Sequence, residues 1–508
     1  MTLDSTLTNS TAFRALKSLV RTAADYGAGS YILKKLSTQP LYTSTGTMKG
    51  SCILRWFSAL AALLLTPLAA AGNIVRQSAS GSLIYKINAP HVFLQSRIIR
   101  AITATRVETA LWPVIFYPVL DFLFKKIPAF AFLSGSWDEL LLVFIIAAWP
   151  VQMAVRGRLS YRYTGLEVPL LIYLGVAIFL FLMRSPNISL AIEGLRVYLE
   201  YMLWFLVGSN LILNRRQFNA LVKGMIAAAF LVAAYGIYQY MTGISTPDSW
   251  VDKAEGNVSR VYSIVKSPNV LGSLLLFFIP VTAAQMFNSI SRRDRCIYLA
   301  ALTAQLACLV LSGSRGAWLA FGASAAIFSL MYNPRLLAIL AAAAAAAVNL
   351  VPSIAARLGY LFSPAYMASS SRGGRLALWT MGYNKFLYSP VLGSGFGTFG
   401  GAVAARRVPG STYVDNFYLK TLVESGVLGL LALLWVIAEV FRHGYAAYKK
   451  ISCPSLKIMA AALITGLLGV TLHNSVENIF EVPMMSTYFW FLAGVLLSLP
   501  HIEKTSKE

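Results

Sequence analysis

The amino-acid sequence predicts an all-α integral membrane protein, a polytopic bundle of about 12–13 transmembrane helices. Of its 508 residues, 57% are hydrophobic and only 12% are charged, whereas a typical soluble domain carries about twice that charged fraction. The hydrophobic residues fall in repeated blocks of roughly 16 to 27, the length needed to cross about 30 Å of hydrocarbon. Because unpaired backbone groups are costly in lipid, many such blocks indicate a helical bundle.

The hydropathy pattern divides the chain into three parts. Residues 1–108 form a basic cytoplasmic tail with one short apolar segment, 109–500 form the membrane domain, and 501–508 form a second cytoplasmic tail. One long hydrophilic connection, about 352–415, separates the span that ends near 351 from the span that starts near 416. The predicted spans are 56–72, 109–124, 138–155, 166–183, 192–213, 219–241, 265–287, 297–312, 315–332, 335–351, 416–442, 456–474 and 483–500.

Arginines and lysines in the short connections set the predicted orientation. Alternating spans place the basic connections 156–165, 214–218, 291–295 and 442–450 on one side, which the positive-inside rule assigns to the cytoplasm. The net charge of +23 therefore indicates loops beside anionic lipid rather than nucleic-acid binding. The segment 56–72 would begin on the wrong side in this scheme, so we interpret it as a re-entrant or surface segment.

The connection 352–415 is predicted to lie on the non-cytoplasmic side, yet it is rich in arginine. Arginine is normally depleted on that side, and long connections usually either bind something or are disordered. We therefore expect an anionic ligand outside the cytoplasm. The arginines of this connection are Arg357, Arg372, Arg375, Arg406 and Arg407.

Three further arginines are predicted at the same side. Arg196 shares one helix face with Glu193 and Glu200. Charge inside a span is functional by default, although an ion-pair ladder between two helices is the alternative. Arg260 lies in the connection before the predicted span 265–287. Arg315 lies in a tight turn between two spans, where a snorkelling interface arginine is the alternative. The planar guanidinium suits the oxygens of a diphosphate.

Candidates for proton transfer and for anion binding follow later in the chain. Asp415 and Asn416 stand at the outer end of a predicted helix, where an ordinary N-cap is the alternative interpretation. His473, close to Glu477, is a candidate acid or base, and a hydrogen-bonded helix-end histidine is the alternative. The glycine-rich stretch 393–397 is either an oxyanion-binding loop or a plain turn.

Together these residues resemble the O-antigen ligase / O-antigen polymerase (Wzy-type) superfamily of GT-C-fold membrane glycosyltransferases, over about residues 109–500. The most specific parts are 311–320 (LSGSRGAWLA) and the segment that ends in Gly-Val-Leu-Gly at 426–429. The ligases carry a catalytic His, then Asn, Ser or Gln, nine residues and Gly-x-x-Gly. Here Asn416 has that spacing, but Asp415 stands in place of the His. Supporting matches are Ser267-Pro268-Asn269, and Arg375 with Trp379 ahead of Pro390 and Gly393–Gly395.

The resemblance implies transfer of glycan from a polyprenyl-diphosphate-linked oligosaccharide to an acceptor glycan hydroxyl, without metal or cofactor, at the outer face of a bacterial inner membrane. Expected partners also include membrane lipid, a flippase and a chain-length regulator, and no nucleic acid. The implied diphosphate ligands are Arg196, Arg260, Arg315 and Arg375. The implied catalytic residues are Asp415, Asn416 and His473. The implied supporting residues are Ser314, Asn269, Trp379, Gly395 and Arg372.

The replacement of His by Asp415 favours one activity within this superfamily. A carboxylate can act as a base, so the change is compatible with catalysis. It argues against a standard lipid A-core ligase and favours a polymerase of O-antigen, capsule or exopolysaccharide, with ligase-type transfer as the alternative. A non-enzymatic transporter of polysaccharide or a small anion is the alternative from another class; transporters typically show inverted repeats and broken midplane helices, and the sequence pattern indicates neither. A non-catalytic assembly scaffold is the third alternative.

Overall fold

The computed structural model describes residues 107–130, 132–156, 161–247 and 259–505. Helices dominate these ranges, and the only strand-like pairing within them is one isolated parallel bridge between Gly400 and Tyr413. The predicted all-α polytopic helical bundle is therefore confirmed. Predictions for the first 106 residues, including the apolar segment 56–72, lie outside the described ranges.

The first seven helices cover the predicted spans from 109 to 241. Two of these spans are interrupted. The first breaks next to Pro118, whose missing N–H cannot continue a helix. The predicted span 192–213 begins earlier, after the cap Asn187, and passes through a 3-10 turn at Glu200–Leu203. The helices are α1 (Leu111–Ile115), α2 (Tyr117–Lys126), α3 (Trp137–Arg156), α4 (Glu167–Met183), α5 (Ile188–Leu199), α6 (Trp204–Leu211) and α7 (Arg215–Met241).

Eleven further helices complete the described chain. Six helices of the described ranges, α7, α8, α9, α16, α17 and α18, are long and apolar enough to cross a membrane by length and composition. Helix also coincides with every other predicted span in those ranges. The helices are α8 (Pro268–Asn288), α9 (Arg292–Leu311), α10 (Arg315–Tyr332), α11 (Arg335–Leu350), α12 (Pro352–Tyr360), α13 (Pro364–Arg372), α14 (Arg375–Leu387), α15 (Ala402–Arg407), α16 (Phe417–Lys450), α17 (Pro454–His473) and α18 (Pro483–Lys504).

At two places the helix continues past the end of the predicted apolar span. The predicted connection 442–450 is the last part of α16, where Arg442 pairs with Glu439 one turn earlier at 2.5 Å. Basic side chains near a helix C-terminus also interact favourably with its dipole. The predicted tail from 501 continues α18 to Lys504, and Glu503 near its end accepts the backbone N–H of Cys453 at 2.7 Å.

The basic connections lie together at one end of the bundle, as their predicted placement on one side requires. Arg162 of the first connection donates to the Ile212 carbonyl at 2.7 Å, two residues before the second connection begins. Arg215 donates to the Ser455 hydroxyl, and Asn288 donates to the Ser455 carbonyl at 2.9 Å. These bonds join elements that are far apart in sequence.

The connection 352–415 is not an open loop but a folded cap that contains α12 to α15. Its first helix, α12, follows α11 at an angle of 92°. That bend turns the chain sideways at Val351–Pro352, and the proline takes an early position in α12, where its missing N–H costs nothing. Arg357 of α12 is buried as a result, with 8% of its surface exposed.

Helix α16 is broken at Gly426, and the break anchors the cap to the bundle. Gly426 has φ 66°, a left-handed conformation that favours glycine. The N–H of Val427, just past the break, donates to the Pro390 carbonyl at 2.9 Å, and the N–H of Ser394 donates to the Val423 carbonyl at 2.9 Å. The loop thus satisfies backbone groups that the break leaves unpaired.

Candidate active site

The turn between α9 and α10 is where three arginines meet. Arg260 Nε donates to the carbonyl of Ser312 at 3.1 Å, and Arg357 Nε donates to the carbonyl of Gly313 at 2.5 Å. Gly313 has φ 59°, and a Cβ there would lie 3.0 Å from Arg357 Nε. The small residues of this turn therefore let two guanidinium groups pack directly on its backbone.

Arg315 begins α10 immediately after this turn. Its guanidinium lies 5.4 Å from the ring centroids of both Tyr360 and Tyr366, and Nη1 is 3.5 Å from the Arg357 carbonyl. Ser314, its buried neighbour, takes the N-cap position of α10 without a side-chain capping bond. The N-terminus of this 18-residue helix adds the favourable end of a helix dipole for an anion.

A chain of side-chain contacts connects this turn to Asp415. Arg260 Nη2 donates to Asn269 Oδ1 at 2.7 Å, and Asn269 Nδ2 donates to Glu477 Oε2 at 2.5 Å. Arg375, the first residue of α14, donates from Nη2 to the same Glu477 oxygen at 3.4 Å and from Nε to Asp415 Oδ2 at 3.2 Å. Segments from five parts of the chain thus form one polar cluster.

The electrostatics of this cluster favour an anionic ligand. Burial and then the neighbouring Arg357 lower the pKa of Arg260, to about 9, so the guanidinium stays charged at neutral pH. Burial alone would lower the pKa of Arg375, but the Glu477 and Asp415 carboxylates outweigh it and raise that pKa. Burial and then Asp415 raise the pKa of Glu477 to about 8. Neighbouring guanidinium groups repel one another, and a bound anion would offset that repulsion.

Asp415 is the accessible carboxylate of the cluster, and Asn416 caps α16. The Asp415 side chain is 30% exposed. Asn416 Oδ1 accepts the backbone N–H of Leu419 at 2.9 Å, which is the N-cap geometry given above as the alternative. The segment before them is fixed, because the N–H of Val414 donates to the Gly400 carbonyl at 2.9 Å. Asp415 is therefore held in place without being buried.

His473 lies in the packing of the bundle. Its Nδ1 is 2.5 Å from the Ser273 hydroxyl, and only 1% of the residue is exposed. A Cβ on Gly316 would lie 2.8 Å from His473 Nε2, so α10 packs closely against the imidazole. This geometry matches the alternative, a hydrogen-bonded histidine at the end of a helix, rather than the expected catalytic residue.

Arg196 belongs to an ion-pair ladder. It pairs with Glu139 of α3 at 2.6 Å and with Glu200 at 3.1 Å, while Glu193 pairs with Arg407 of α15 at 2.6 Å. No contact joins Arg196 to the arginine cluster among the described residues. The prediction of Arg196 as a diphosphate ligand is not supported, because helical periodicity shows which charges share a face but not which partners meet them.

The remaining predicted residues support the cap in different ways. The N–H of Gly395 donates to the Glu424 carbonyl at 2.9 Å, so this amide is used to hold α16 and not to bind an oxyanion. Trp379 packs against the buried cluster of Phe399, Val414 and Val423. Arg372 is exposed in the last turn of α13, next to the start of α14.

A buried charge network beside the site was not predicted from the sequence. Lys420 Nζ lies 3.2 Å from Glu424 Oε2, 2.7 Å from Glu481 Oε1 and 3.0 Å from the Tyr198 hydroxyl. Glu424 also accepts the backbone N–H of Phe399 at 3.1 Å, which holds the cap. The signal was present in the sequence, because two charges one turn apart in an apolar helix are rarely without a role.

A family comparison covers part of the residues of this cluster. Residues 299–434 match a family model described as O-antigen ligase. The match includes Arg315, Arg357, Arg375 and Asp415, and it confirms the predicted resemblance. No curated protein matches the chain. The residues that complete the cluster from outside the matched segment are Arg260, Asn269 and Glu477.

Proposed function

We propose that this chain, whose residues 299–434 match a family model described as O-antigen ligase, polymerises a cell-surface polysaccharide at the extracytoplasmic face of a bacterial inner membrane. The donor is a glycan linked to a polyprenyl diphosphate, and the acceptor is a hydroxyl of a second glycan. One observation carries the proposal: four arginines converge on the end of the bundle where the accessible carboxylate of Asp415 also lies.

The arginines bind the diphosphate of the donor. Arg260, Arg315 and Arg357 surround the turn at 312–314, and the N-terminus of α10 opens beside them. Negative charge develops on the diphosphate as it leaves, and pre-placed donors in a site of low dielectric stabilise that charge most. The arginines thus supply the charge that a divalent cation supplies in other diphosphate sites.

Asp415 takes the proton of the acceptor. The acceptor oxygen forms a bond to the anomeric carbon, the bond from that carbon to the phosphate oxygen breaks, and the lipid diphosphate leaves with the bonding electrons. Arg375 Nε occupies Oδ2 of Asp415 at 3.2 Å, so Oδ1 accepts the hydroxyl proton. Arg375 orients the base and adjoins the anion site, which couples the two halves of the reaction.

Loop charge supports the choice of face. The basic connections lie at one end of the bundle, and positive loops face the cytoplasm. The arginine cluster lies in the connections of the other end, and these connections lie outside if the spans alternate. A cysteine introduced for Thr412, an exposed cap residue, should react with an impermeant maleimide in intact cells, whereas labelling only after lysis would contradict this orientation.

Ligase-type transfer is the second candidate, and the description of the matching family favours it. The two activities leave different products in a deletion strain. Loss of a polymerase leaves single repeat units on their final carrier, whereas loss of a ligase leaves long chains on the lipid diphosphate. Chain length on each carrier, resolved by gel electrophoresis, separates them.

Two isosteric or truncating substitutions test the proposed chemistry. In the deletion strain we expect Asp415→Asn and Arg315→Ala each to lower surface polymer about 100-fold or more, because each removes a group that acts in the transition state. The matched controls Asp294→Asn and Arg335→Ala change exposed residues of the same types elsewhere in the chain and should leave polymer unchanged. Normal polymer in both test variants, at normal protein amounts, would refute the proposal.

A further inference from the structure

The turn between α12 and α13 places two tyrosines beside the arginine cluster. Tyr360 is the last residue of α12, and Tyr366 lies in the first turn of α13. The Arg315 guanidinium lies 5.4 Å from the centroid of each ring. Both tyrosines are half-buried, and the attraction between a cation and a ring strengthens as the pair is withdrawn from water.

The two rings are held in fixed positions relative to each other. Their centroids are 5.6 Å apart and their planes are inclined at 74°, an edge-to-face arrangement. The backbone between them is also fixed, because the Ser363 hydroxyl donates to the Tyr360 carbonyl at 2.7 Å and accepts the N–H of Tyr366 at 3.1 Å. The rings therefore contact the Arg315 guanidinium from different directions, which restricts its rotation as well as its position.

Contacts with rings suit an arginine that binds an anion. Arg196, in contrast, is held by two carboxylates, whose negative charge offsets its own. A tyrosine ring attracts a guanidinium through its quadrupole and adds no net charge. Tyr360 and Tyr366 thus restrain Arg315 without weakening its attraction for a diphosphate.

Tyr366 also lies near the part of the cluster that contains Asp415. Burial alone would lower the pKa of Arg375, and neighbouring ionisable groups raise it. The largest of these effects come from Glu477 and Asp415, and the third comes from Tyr366. Tyr366 is therefore close to Arg315, which meets the diphosphate in the proposed function, and also to the arginine that orients Asp415.

From this arrangement we infer that Tyr360 and Tyr366, here called the aromatic clamp, are positioning residues that hold the Arg315 guanidinium in the orientation that binds the donor diphosphate. The inference rests on the proposed function. It adds that the cap completes the diphosphate site, because Arg315 begins the bundle helix α10 whereas both rings belong to the cap. The role lies in the rings and does not require their hydroxyl groups.

Single substitutions test the aromatic clamp in membranes that contain the full-length protein. Initial rates, normalised to protein amount, are measured with the polyprenyl-diphosphate-linked repeat unit extracted from the deletion strain. We expect Tyr360→Leu and Tyr366→Leu each to lower kcat/KM for this donor about 5-fold, which corresponds to one cation–π contact. Tyr360→Phe and Tyr366→Phe keep the rings and should stay within about twofold of the wild type. Tyr388→Leu, at a tyrosine that is 91% exposed, is the matched control.

A double-mutant cycle separates positioning from a general structural effect. If the rings act through Arg315, Tyr360→Leu should change kcat/KM by less than about twofold once Arg315→Ala is present. A merely structural role of Tyr360 would give the same loss of about 5-fold in both backgrounds, and that result would overturn the inference.

An isosteric ring tests the same contact where a leucine variant fails to accumulate. Trifluorophenylalanine at position 360 keeps the shape of a phenylalanine ring but weakens its negative face, which is the part that attracts a cation. Its kcat/KM should therefore fall below that of Tyr360→Phe. Equal values in these two proteins would overturn the aromatic clamp, whatever the leucine variants do.

The outcomes also separate the aromatic clamp from the proposed function. Wild-type kcat/KM in both leucine variants, with activity lost in Arg315→Ala, would overturn the clamp and leave the polymerase proposal intact. Equal losses in the leucine and phenylalanine variants would do the same, because the hydroxyl groups would then carry the effect. Normal activity in Arg315→Ala would overturn both the clamp and the role of Arg315 in the proposed function.

Discussion

Replacing Glu477 with glutamine should remove a pH dependence from donor binding. Glu477 is buried between Arg375 and Asn269, and its pKa is raised to about 8. Below that pH the carboxyl is protonated and neutral. Above it the carboxylate is charged, competes with the diphosphate for Arg375 and repels it. We therefore expect donor affinity in the wild type to fall as the pH rises through about 8.

The structure sets the size of this effect. Arg375 Nη2 is 3.4 Å from the Glu477 oxygen, and a phosphate on the other side of the guanidinium would lie about 7 Å from that carboxylate. One unit charge at about 7 Å in an effective dielectric of about 20 repels another by about 2 kcal/mol. That energy corresponds to a limiting change of roughly 30-fold in donor affinity between the neutral and the charged carboxyl. With a pKa of about 8 for Glu477, linkage gives about a 7-fold rise in the apparent KM for the donor between pH 7 and pH 9.

Wild type and Glu477→Gln are compared in membranes supplied with the lipid-linked donor, by measuring initial rates against donor concentration at both pH values. Glutamine keeps the shape of the side chain and can still accept from Asn269 but cannot ionise. Its KM should therefore change little between the two pH values. The matched control is Glu193→Gln, at an exposed ion pair with Arg407. An unchanged rise of KM in Glu477→Gln would refute the assignment of the proton to Glu477.

Three further substitutions test other parts of the structure. Gly426→Ala should lower the free energy of unfolding by about 2 kcal/mol or more, because alanine is strained at φ 66° and its Cβ would collide with the inserted loop. A wild-type melting temperature of this variant in detergent would contradict the expectation. Lys420→Met should cost about 3–5 kcal/mol, since it leaves Glu424 buried without its cation, and normal accumulation in membranes would show that the network is dispensable. Arg196→Ala should keep polymer within about twofold, whereas Arg375→Ala should lose about 100-fold; equal loss in both would return Arg196 to the diphosphate site.

The comparison of prediction and structure is clearest for the long connection 352–415. Its arginine excess, on a side where arginine is normally depleted, indicated an anion site, and Arg357 and Arg375 do meet Arg260 and Arg315 in one cluster. Its internal helices and its attachment through the break in α16 were not predicted. The short helices of the cap do not produce an apolar run as long as that of a membrane span. The break in α16 depends on contacts with the loop that packs into it, and these contacts cannot be read from the helix sequence.

Contacts between distant segments explain the other differences. Arg196 and Arg315 were both predicted as diphosphate ligands in or beside a membrane span. In the structure Arg196 pairs with Glu139, whereas Arg315 lies over two tyrosine rings. His473 and Asp415 both looked like acid–base groups, and only Asp415 is accessible. Sequence alone could not rank these pairs, because the environment of a side chain is set by residues far away in the chain.

The sequence by itself determined the membrane bundle, the grouping of the basic connections and the resemblance to the O-antigen ligase and polymerase superfamily. Hydropathy, loop charge and motif spacing are local properties of the chain, so they can be read from the sequence without knowledge of the fold. The tertiary structure alone decided that Glu477 and Asn269 join Arg260 to Arg375, that Lys420 pairs with Glu424 and Glu481, and which arginines meet in one cluster. Coulomb energy and hydrogen bonding depend on distance and burial, and folding sets both of these.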